Sequence, residues 1–231
     1  TNIQMMSKDG NWPSDPQLTH FSDSVVLSVL ADKRAQDALI FHLSAIVYSM
    51  RQLGFLVRGG IAMGELIHRG PMIYGPVLVK AWKMESIMAK HPRIILDQEL
   101  AKIWGSGQKV VNPDQSLIGY FKYWRLDKDG LRFFDFLQPF PQSPTNTKFS
   151  NGELQILNNN RELIVKRIKE HRHNYAIVSK YLWMAKYYNS ILEEYSETEL
   201  NKIPEPIFFE KAYYFFLKCF QKIKKIIAAI L

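Results

Sequence analysis

The chain has 231 residues, of which 47% are hydrophobic and 23% charged; these values are ordinary for a globular protein, and the length allows one large domain or two small ones. The net charge of +8 favours an anionic partner, but no Arg-rich run or zinc-finger spacing supports DNA reading, and no stretch of about 20 uncharged apolar residues could cross a bilayer. The single cysteine, Cys219, excludes an intrachain disulfide and fits a reducing cytoplasm, so we expect a cytoplasmic protein without stable membrane insertion.

The first part of the chain predicts a loop, a strand and a long helix. Residues 1–18 are polar and rich in turn-forming residues, which is typical of a loop. The short β-branched run at residues 25–29 predicts a buried strand. Asp32 is a suitable N-cap for a helix that continues to Leu53, and Gly54 is placed to end it.

The next segments continue an alternation of strands and helices. Residues 55–62 predict a strand in which glycines permit a close backbone approach. Residues 64–73 predict a hairpin that turns near Gly70 and Pro71. A second helix should begin near Pro76 and end before Pro92, and residues 93–96 predict a further strand. This order favours an α+β fold with helices on one face of a sheet.

The last part of the chain predicts mostly helices. Residues 131–137 alternate weakly and favour a strand, and the three prolines within residues 138–151 predict a surface loop. Amphipathic patterns predict helices from Arg161 onward, including an aromatic final helix at about residues 206–231. We therefore predict a domain at residues 1–150, followed by a helical extension at residues 151–231 that packs on the same unit or on a dimer partner.

Three motifs occur in a fixed order between residues 19 and 97. Phe-Ser-Asp-Ser at residues 21–24 is followed by Arg-Gly-Gly-Ile-Ala-Met-Gly at residues 58–64, and then by Gly-Pro-Val-Leu-Val-Lys-Ala-Trp-Lys-Met-Glu-Ser at residues 75–86. This set resembles class III adenylyl and guanylyl cyclases, whose strand R-[IG]-G-I-x-x-G precedes a helix G-x-x-V-N-x-A-x-R-L-E-S. The resemblance implies a ferredoxin-like palm and a nucleotide cyclase activity.

A narrower resemblance rests on two further segments. Together with the first two motifs, Ala-Lys-His-Pro-Arg-Ile at residues 89–94 and Lys-Tyr-Leu-Trp at residues 180–183 are similar to the pyrimidine cyclases of bacterial Pycsar anti-phage systems. That resemblance implies a homodimeric, manganese-using enzyme that converts UTP or CTP to a 3′,5′-cyclic nucleotide and pyrophosphate. Its product would be a second messenger that activates a separate effector.

The class III resemblance also assigns roles to four residues. Asp23 would be a ligand of one of two divalent ions, Mn²⁺ or Mg²⁺, which prefer carboxylate oxygens. Lys83 takes the place of the family's catalytic arginine. Thr19 and Met72 take the base-reading positions, where neither matches an adenine or guanine reader, and this favours a pyrimidine. The family's active sites lie between two subunits, which implies a homodimer.

The sequence departs from the family pattern at two points. The second metal-binding aspartate should lie on a strand upstream of Asp23, where the chain offers only Asp9 and Asp15 in a loop, so we expect the first strand and helix to be missing from this chain. Val79 replaces the family's transition-state asparagine and cannot donate a hydrogen bond. A degenerate cyclase-fold protein that binds nucleotides or acts as a scaffold is therefore the alternative, and a nucleic-acid-binding protein, which only the charge supports, ranks last.

Overall fold

The computed structural model describes residues 16–31, 35–104, 110–111, 118–119, 123–139 and 148–204. The described strands and helices, in chain order, are β1 (Gln17–Phe21), β2 (Ser24–Ser28), α1 (Ala35–Gln52), β3 (Gly59–Ile61), β4 (Ile67–Arg69), β5 (Met72–Tyr74), α2 (Pro76–Lys83), which continues as a π-helical turn (Met84–Met88), β6 (Ile94–Leu96), α3 (Gln98–Trp104), β7 (Val110–Val111), β8 (Ile118–Gly119), β9 (Trp124–Leu126), β10 (Arg132–Phe134), α4 (Asn151–Glu170) and α5 (Tyr175–Glu194).

The chain divides into two compact units. The first holds the described residues up to 50, those from 59 to 104 and those from 123 to 134; the second holds residues 51–58 and the described residues 110–111, 118–119 and from 135 onward. Neither unit consists of one uninterrupted stretch of chain. The expected division at residue 150 does not coincide with these unit boundaries, and the predicted domains stay a prediction.

A four-stranded sheet forms the centre of the first unit, with the strand order β3-β6-β10-β9. β3 runs parallel to β6, whereas β10 is antiparallel to both of its neighbours. β6 is buried along its whole length because Ile94, Ile95 and Leu96 are all apolar and lie between partner strands. β1 and β2 form a separate antiparallel pair, and so do β4 and β5.

A buried arginine connects β6 to the turn between β9 and β10. Arg93 is fully buried, and its guanidinium donates hydrogen bonds to the carboxylates of Asp127 and Asp129. Its backbone carbonyl accepts a hydrogen bond from the Gly59 N–H at 3.2 Å, next to the first residue pair of β3 and β6. A buried charge is tolerated only when it is paired in this way.

The second unit contains the helical pair α4 and α5. A capping box starts α4: the Glu153 N–H donates to Ser150 Oγ, and the Ser150 N–H donates to the Glu153 carboxylate. Asn174 caps α5 in a similar way through its side-chain oxygen. The two helices pack through apolar residues at helical spacing, of which the buried ones are Leu154, Leu157, Ile164, Val178, Met184, Ala185, Tyr188, Ile191 and Leu192.

Most predicted elements are confirmed, but several bounds are wrong. Residues 17 and 18 belong to β1 and not to a loop, and β2 is exposed at its first two positions and not buried. Helix α4 begins ten residues before the predicted Arg161, because Ser150 and Glu153 form a cap that the prediction overlooked. Asp32 and the predicted final helix lie outside the described residues. The fold is mixed α and β with small sheets, as the α+β prediction requires, and the cyclase palm remains a prediction.

Candidate functional site

A tight two-residue turn carries the candidate metal ligand. Phe21 pairs with Ser24, so only Ser22 and Asp23 connect β1 to β2. Ser22 has a φ of 55°, in the left-handed region that usually costs a non-glycine residue about 1 kcal/mol. Asp23 is exposed, and among the described residues its carboxylate has no hydrogen-bond or ion-pair partner. A carboxylate so placed is available to a ligand from solvent.

The β1–β2 hairpin is hydrogen-bonded to β4 through one histidine. The Thr19 hydroxyl donates its only hydrogen to the Gly70 carbonyl at 2.7 Å. Thr19 Oγ1 also lies 2.7 Å from His68 Nε2, and Ser28 Oγ lies 2.8 Å from His68 Nδ1. Since the Thr19 hydrogen is already used, His68 Nε2 must donate to Thr19, and in the neutral ring Nδ1 accepts from Ser28. Both ring nitrogens of His68 are thus engaged.

Helix α2 sits close to β3 because a glycine allows it. A Cβ atom on Gly60 would lie 2.6 Å from the Met84 Cβ and 2.8 Å from the Ala81 carbonyl oxygen. Gly75, the residue before α2, has the same role against another segment: a Cβ there would lie 2.5 Å from the Glu65 carbonyl oxygen. The prediction that the glycines of this motif permit close backbone packing is confirmed for Gly60.

The exposed face of α2 carries the two residues that the class III resemblance aligns with a catalytic asparagine and arginine. Val79 is 52% exposed, and Lys83, one turn further along, is also exposed. Lys80 behaves differently, because its ammonium lies 2.7 Å from the Asp97 carboxylate at the end of β6. The hydrogen bond to Asp97 raises the pKa of Lys80; burial opposes it, and the charges of Asp97 and Glu99 raise the pKa further. Lys83 is therefore the lysine of α2 that is open to an anionic ligand.

The structure brings together some of the predicted residues. Thr19 contacts Gly70, in the turn that leads to β5, and Met72 is the exposed first residue of that strand. Thr19 uses its hydroxyl on His68 and Gly70, so it also has a structural role. Asp23 and Lys83 share no hydrogen bond or ion pair in the described part of the chain.

The described residues do not by themselves fit a two-ion site. Nowhere in the described ranges do three or more His, Cys, Asp or Glu side chains form a group that could hold a metal. Asp23 is one isolated carboxylate, and both Asp9 and Asp15 lie outside the described residues. We therefore derive no reaction step through a metal ion.

Sequence reasoning missed three polar residues of this unit, namely His68, Ser28 and Asp97. The histidines show no metal-ligand spacing, and one histidine in a short strand carries no pattern that points to a partner. Ser28 lies 40 residues before His68, so only the tertiary structure brings them together. Asp97 directly follows a buried strand, a position that is a usable signal for a functional carboxylate in α/β proteins.

None of the helices in the described residues is long and apolar enough to cross a membrane. The chain matches no protein-family model, no curated protein and no solved structure. The likeness to class III cyclases therefore rests on the sequence motifs of residues 19–97 alone.

Proposed function

We propose that this chain is a nucleotide cyclase that converts a ribonucleoside triphosphate, UTP or CTP, to a 3′,5′-cyclic nucleotide and pyrophosphate. The observation that carries the proposal is the Asp23 turn. An exposed carboxylate sits on a two-residue hairpin turn with an unfavourable backbone conformation, in the order of elements that the class III motifs imply. Ser22 supplies the positive φ that a two-residue hairpin turn requires, and the turn presents the Asp23 carboxylate at the exposed end of the hairpin.

The reaction forms one bond and breaks one. The ribose 3′-oxygen attacks the α-phosphorus, its proton passes to solvent or a base, and the bond from the α-phosphorus to the bridging oxygen breaks as pyrophosphate leaves. The two divalent ions that the resemblance implies, Mn²⁺ or Mg²⁺, would supply charge stabilisation when bound, and Asp23 would be one of their ligands. Lys83 would attract the triphosphate as an exposed point charge. The other carboxylates have to come from outside the described residues.

Exposed apolar side chains support a homodimer with sites between subunits. Met72, Tyr74, Val79 and Trp82 lie on β5 and α2, and each is at least half exposed. Such side chains next to Lys83 suit a subunit interface better than open solvent. Sedimentation velocity of the full-length protein should give a dimer, and Trp82→Glu should shift it to monomer. A monomeric wild-type protein that makes cyclic nucleotide would contradict this arrangement.

The activity test uses full-length protein with each of the four ribonucleotides and Mn²⁺, with detection of cyclic products by mass spectrometry. We expect product from UTP or CTP, and a loss of at least about 100-fold in Asp23→Asn, since a catalytic ligand is removed without a change in size. Glu162→Gln is the matched control, because it removes one exposed carboxylate from α4 and should leave the rate unchanged. A folded dimer that makes no product from any nucleotide would contradict the proposal.

A second candidate function is a cyclase-fold protein that binds nucleotides without turnover. Val79 favours it, because this exposed residue stands where the family uses an asparagine donor, and loss of such a donor costs about 10²–10³ in rate. Equilibrium binding of a non-hydrolysable triphosphate separates the two candidates. Binding without product, in wild type and in Val79→Asn, supports the second candidate; product that rises in Val79→Asn supports the first.

The narrower resemblance adds a cellular context to the first candidate. A pyrimidine cyclase of this kind would act in the cytoplasm, where its product would be a second messenger in anti-phage defence. Expression in bacteria gives the test: phage challenge should raise the cyclic pyrimidine nucleotide in cells that carry the wild-type gene and not in cells that carry Asp23→Asn. Equal levels in both strains would contradict this context.

A further inference from the structure

We propose that His68 is a positioning residue: it fixes the hairpin that carries Asp23 against the β4–β5 hairpin, and so sets where the Asp23 carboxylate lies. The proposal rests on the proposed function for its catalytic consequence, but the structural connection itself stands on the described contacts. His68 bonds to one residue on each strand of the hairpin, Thr19 on β1 and Ser28 on β2.

The register of the hairpin shows why these two contacts fix its position. Gln17 pairs with Ser28 and Thr19 with Val26, so Thr19 and Ser28 are diagonal neighbours on the same face of the hairpin. Two contacts on different strands resist both sliding and rotation of the hairpin, whereas one contact would act only as a pivot. The two turn residues, Ser22 and Asp23, connect Phe21 directly to Ser24, so Asp23 moves with the two strands.

The same network reaches the turn of the second hairpin. Thr19 donates to the Gly70 carbonyl, which lies between β4 and β5, while His68 is the middle residue of β4. Thr19, His68 and Ser28 are all partly buried, so water competes less for the two hydrogen bonds of His68 than at an exposed site. Among the described residues, these are the three side-chain hydrogen bonds that join the two hairpins.

Three substitutions at His68 separate its two contacts. His68→Phe removes both hydrogen bonds and keeps a ring. His68→Gln places an amide N–H near the former Nε2 and keeps the bond to Thr19, and His68→Asn places an acceptor near the former Nδ1 and keeps the bond to Ser28. His20→Phe is the matched control: His20 lies on the same hairpin, is exposed, and has no hydrogen bond in the described part of the chain.

The first measurement is amide hydrogen exchange of residues 17–28 in the full-length protein. Loss of two hydrogen bonds should speed exchange there about tenfold in His68→Phe, with a smaller effect in His68→Gln and His68→Asn. Exchange in α4 and α5 should not change, and His20→Phe should behave as wild type. Unchanged exchange in His68→Phe, or an equal effect of His20→Phe, would overturn the proposal whether or not the protein is a cyclase.

The second measurement is steady-state cyclase kinetics. If Asp23 is misplaced while the substrate still binds, kcat should fall about tenfold or more in His68→Phe with little change in KM, and His68→Gln or His68→Asn should recover part of it. Faster exchange with unchanged kcat would overturn the positioning role. If wild-type protein makes no product, the proposed function fails and hydrogen exchange alone decides whether His68 holds the hairpin.

Discussion

Replacement by phenylalanine should change the free energy of unfolding in opposite directions at two adjacent tyrosines of α5, Tyr187 and Tyr188. Tyr187 donates a hydrogen bond to the buried carboxylate of Asp135, and its oxygen accepts one from the Leu137 N–H at 3.0 Å. Tyr188 is fully buried, but its hydroxyl has no partner among the described residues. Replacement by phenylalanine removes one oxygen in each case, so the transfer of apolar surface is nearly the same for both.

The expected magnitudes follow from these contacts. Tyr187→Phe loses a hydrogen bond to a charged group and leaves a buried N–H without its acceptor, which should destabilise the second unit by about 3 kcal/mol. Tyr188→Phe removes a hydroxyl that was desolvated without compensation, which should stabilise the unit by about 1 kcal/mol. The two variants should therefore differ by about 4 kcal/mol in the free energy of unfolding.

Urea denaturation followed by fluorescence gives the test. Trp183, whose ring centroid lies 5.4 Å from that of Tyr187, reports on this part of α5. With an m-value of about 2 kcal/mol/M, the two midpoints should be separated by about 2 M urea, on opposite sides of the wild-type midpoint. Equal shifts in the same direction would refute the reasoning, because they would show that the hydrogen bonds do not decide the effect.

Alkaline pH gives an independent check on Tyr188. Burial raises the pKa of Tyr188 to about 12 from the ordinary value of 10.0. A raised pKa means that the unfolded chain releases its proton first, so stability is complete below pH 10.0 and falls as the pH rises towards about 12. Wild type should lose stability over this window, and Tyr188→Phe should lose less; identical pH profiles would contradict the assignment.

Three further predictions concern the first unit. Arg93→Met should destabilise it by about 1–3 kcal/mol in urea denaturation, because two partly exposed carboxylates lose their shared cation. Adding Asp127→Asn with Asp129→Asn should recover part of the loss, and no recovery would contradict the pairing. Gly60→Ala should lower the urea midpoint, because a Cβ there has no room beside α2, and an unchanged midpoint would show that the helix can shift. Ser22→Gly should stabilise the hairpin by up to about 1 kcal/mol, because glycine adopts a positive φ without strain, and amide exchange at residues 17–28 should slow. Faster exchange would mean that the greater flexibility of glycine in the unfolded chain outweighs the strain that is removed.

The site could be predicted only in part, and the reason differs between residues. Asp23 stands out in the sequence because the turn is local, and the structure confirms a tight turn there. Lys83 could be found by motif alignment. The sequence could not show that Lys83 is exposed while Lys80, three residues earlier, is paired with Asp97. His68 escaped notice because its two partners lie 40 and 49 residues away along the chain.

By itself, the sequence determined the features that arise from short-range physics. Hydrophobic spacing predicted a helix in the region of α5, Gly54 ended α1 with a φ of 80°, and Gly70 and Pro71 produced the turn between β4 and β5. These features depend on backbone sterics and on the period of a helix or strand, which a local window contains.

The tertiary structure alone decided which distant groups meet. It placed Arg93 against two aspartates more than 30 residues away and joined two hairpins through His68. It also gave Tyr187 hydrogen-bond partners, whereas the Tyr188 hydroxyl has none in the part of the chain that the structure describes. A long-range contact depends on how the whole chain packs, and adjacent residues of the same type can end in different surroundings because a helix turns each side chain by about 100° relative to the one before it.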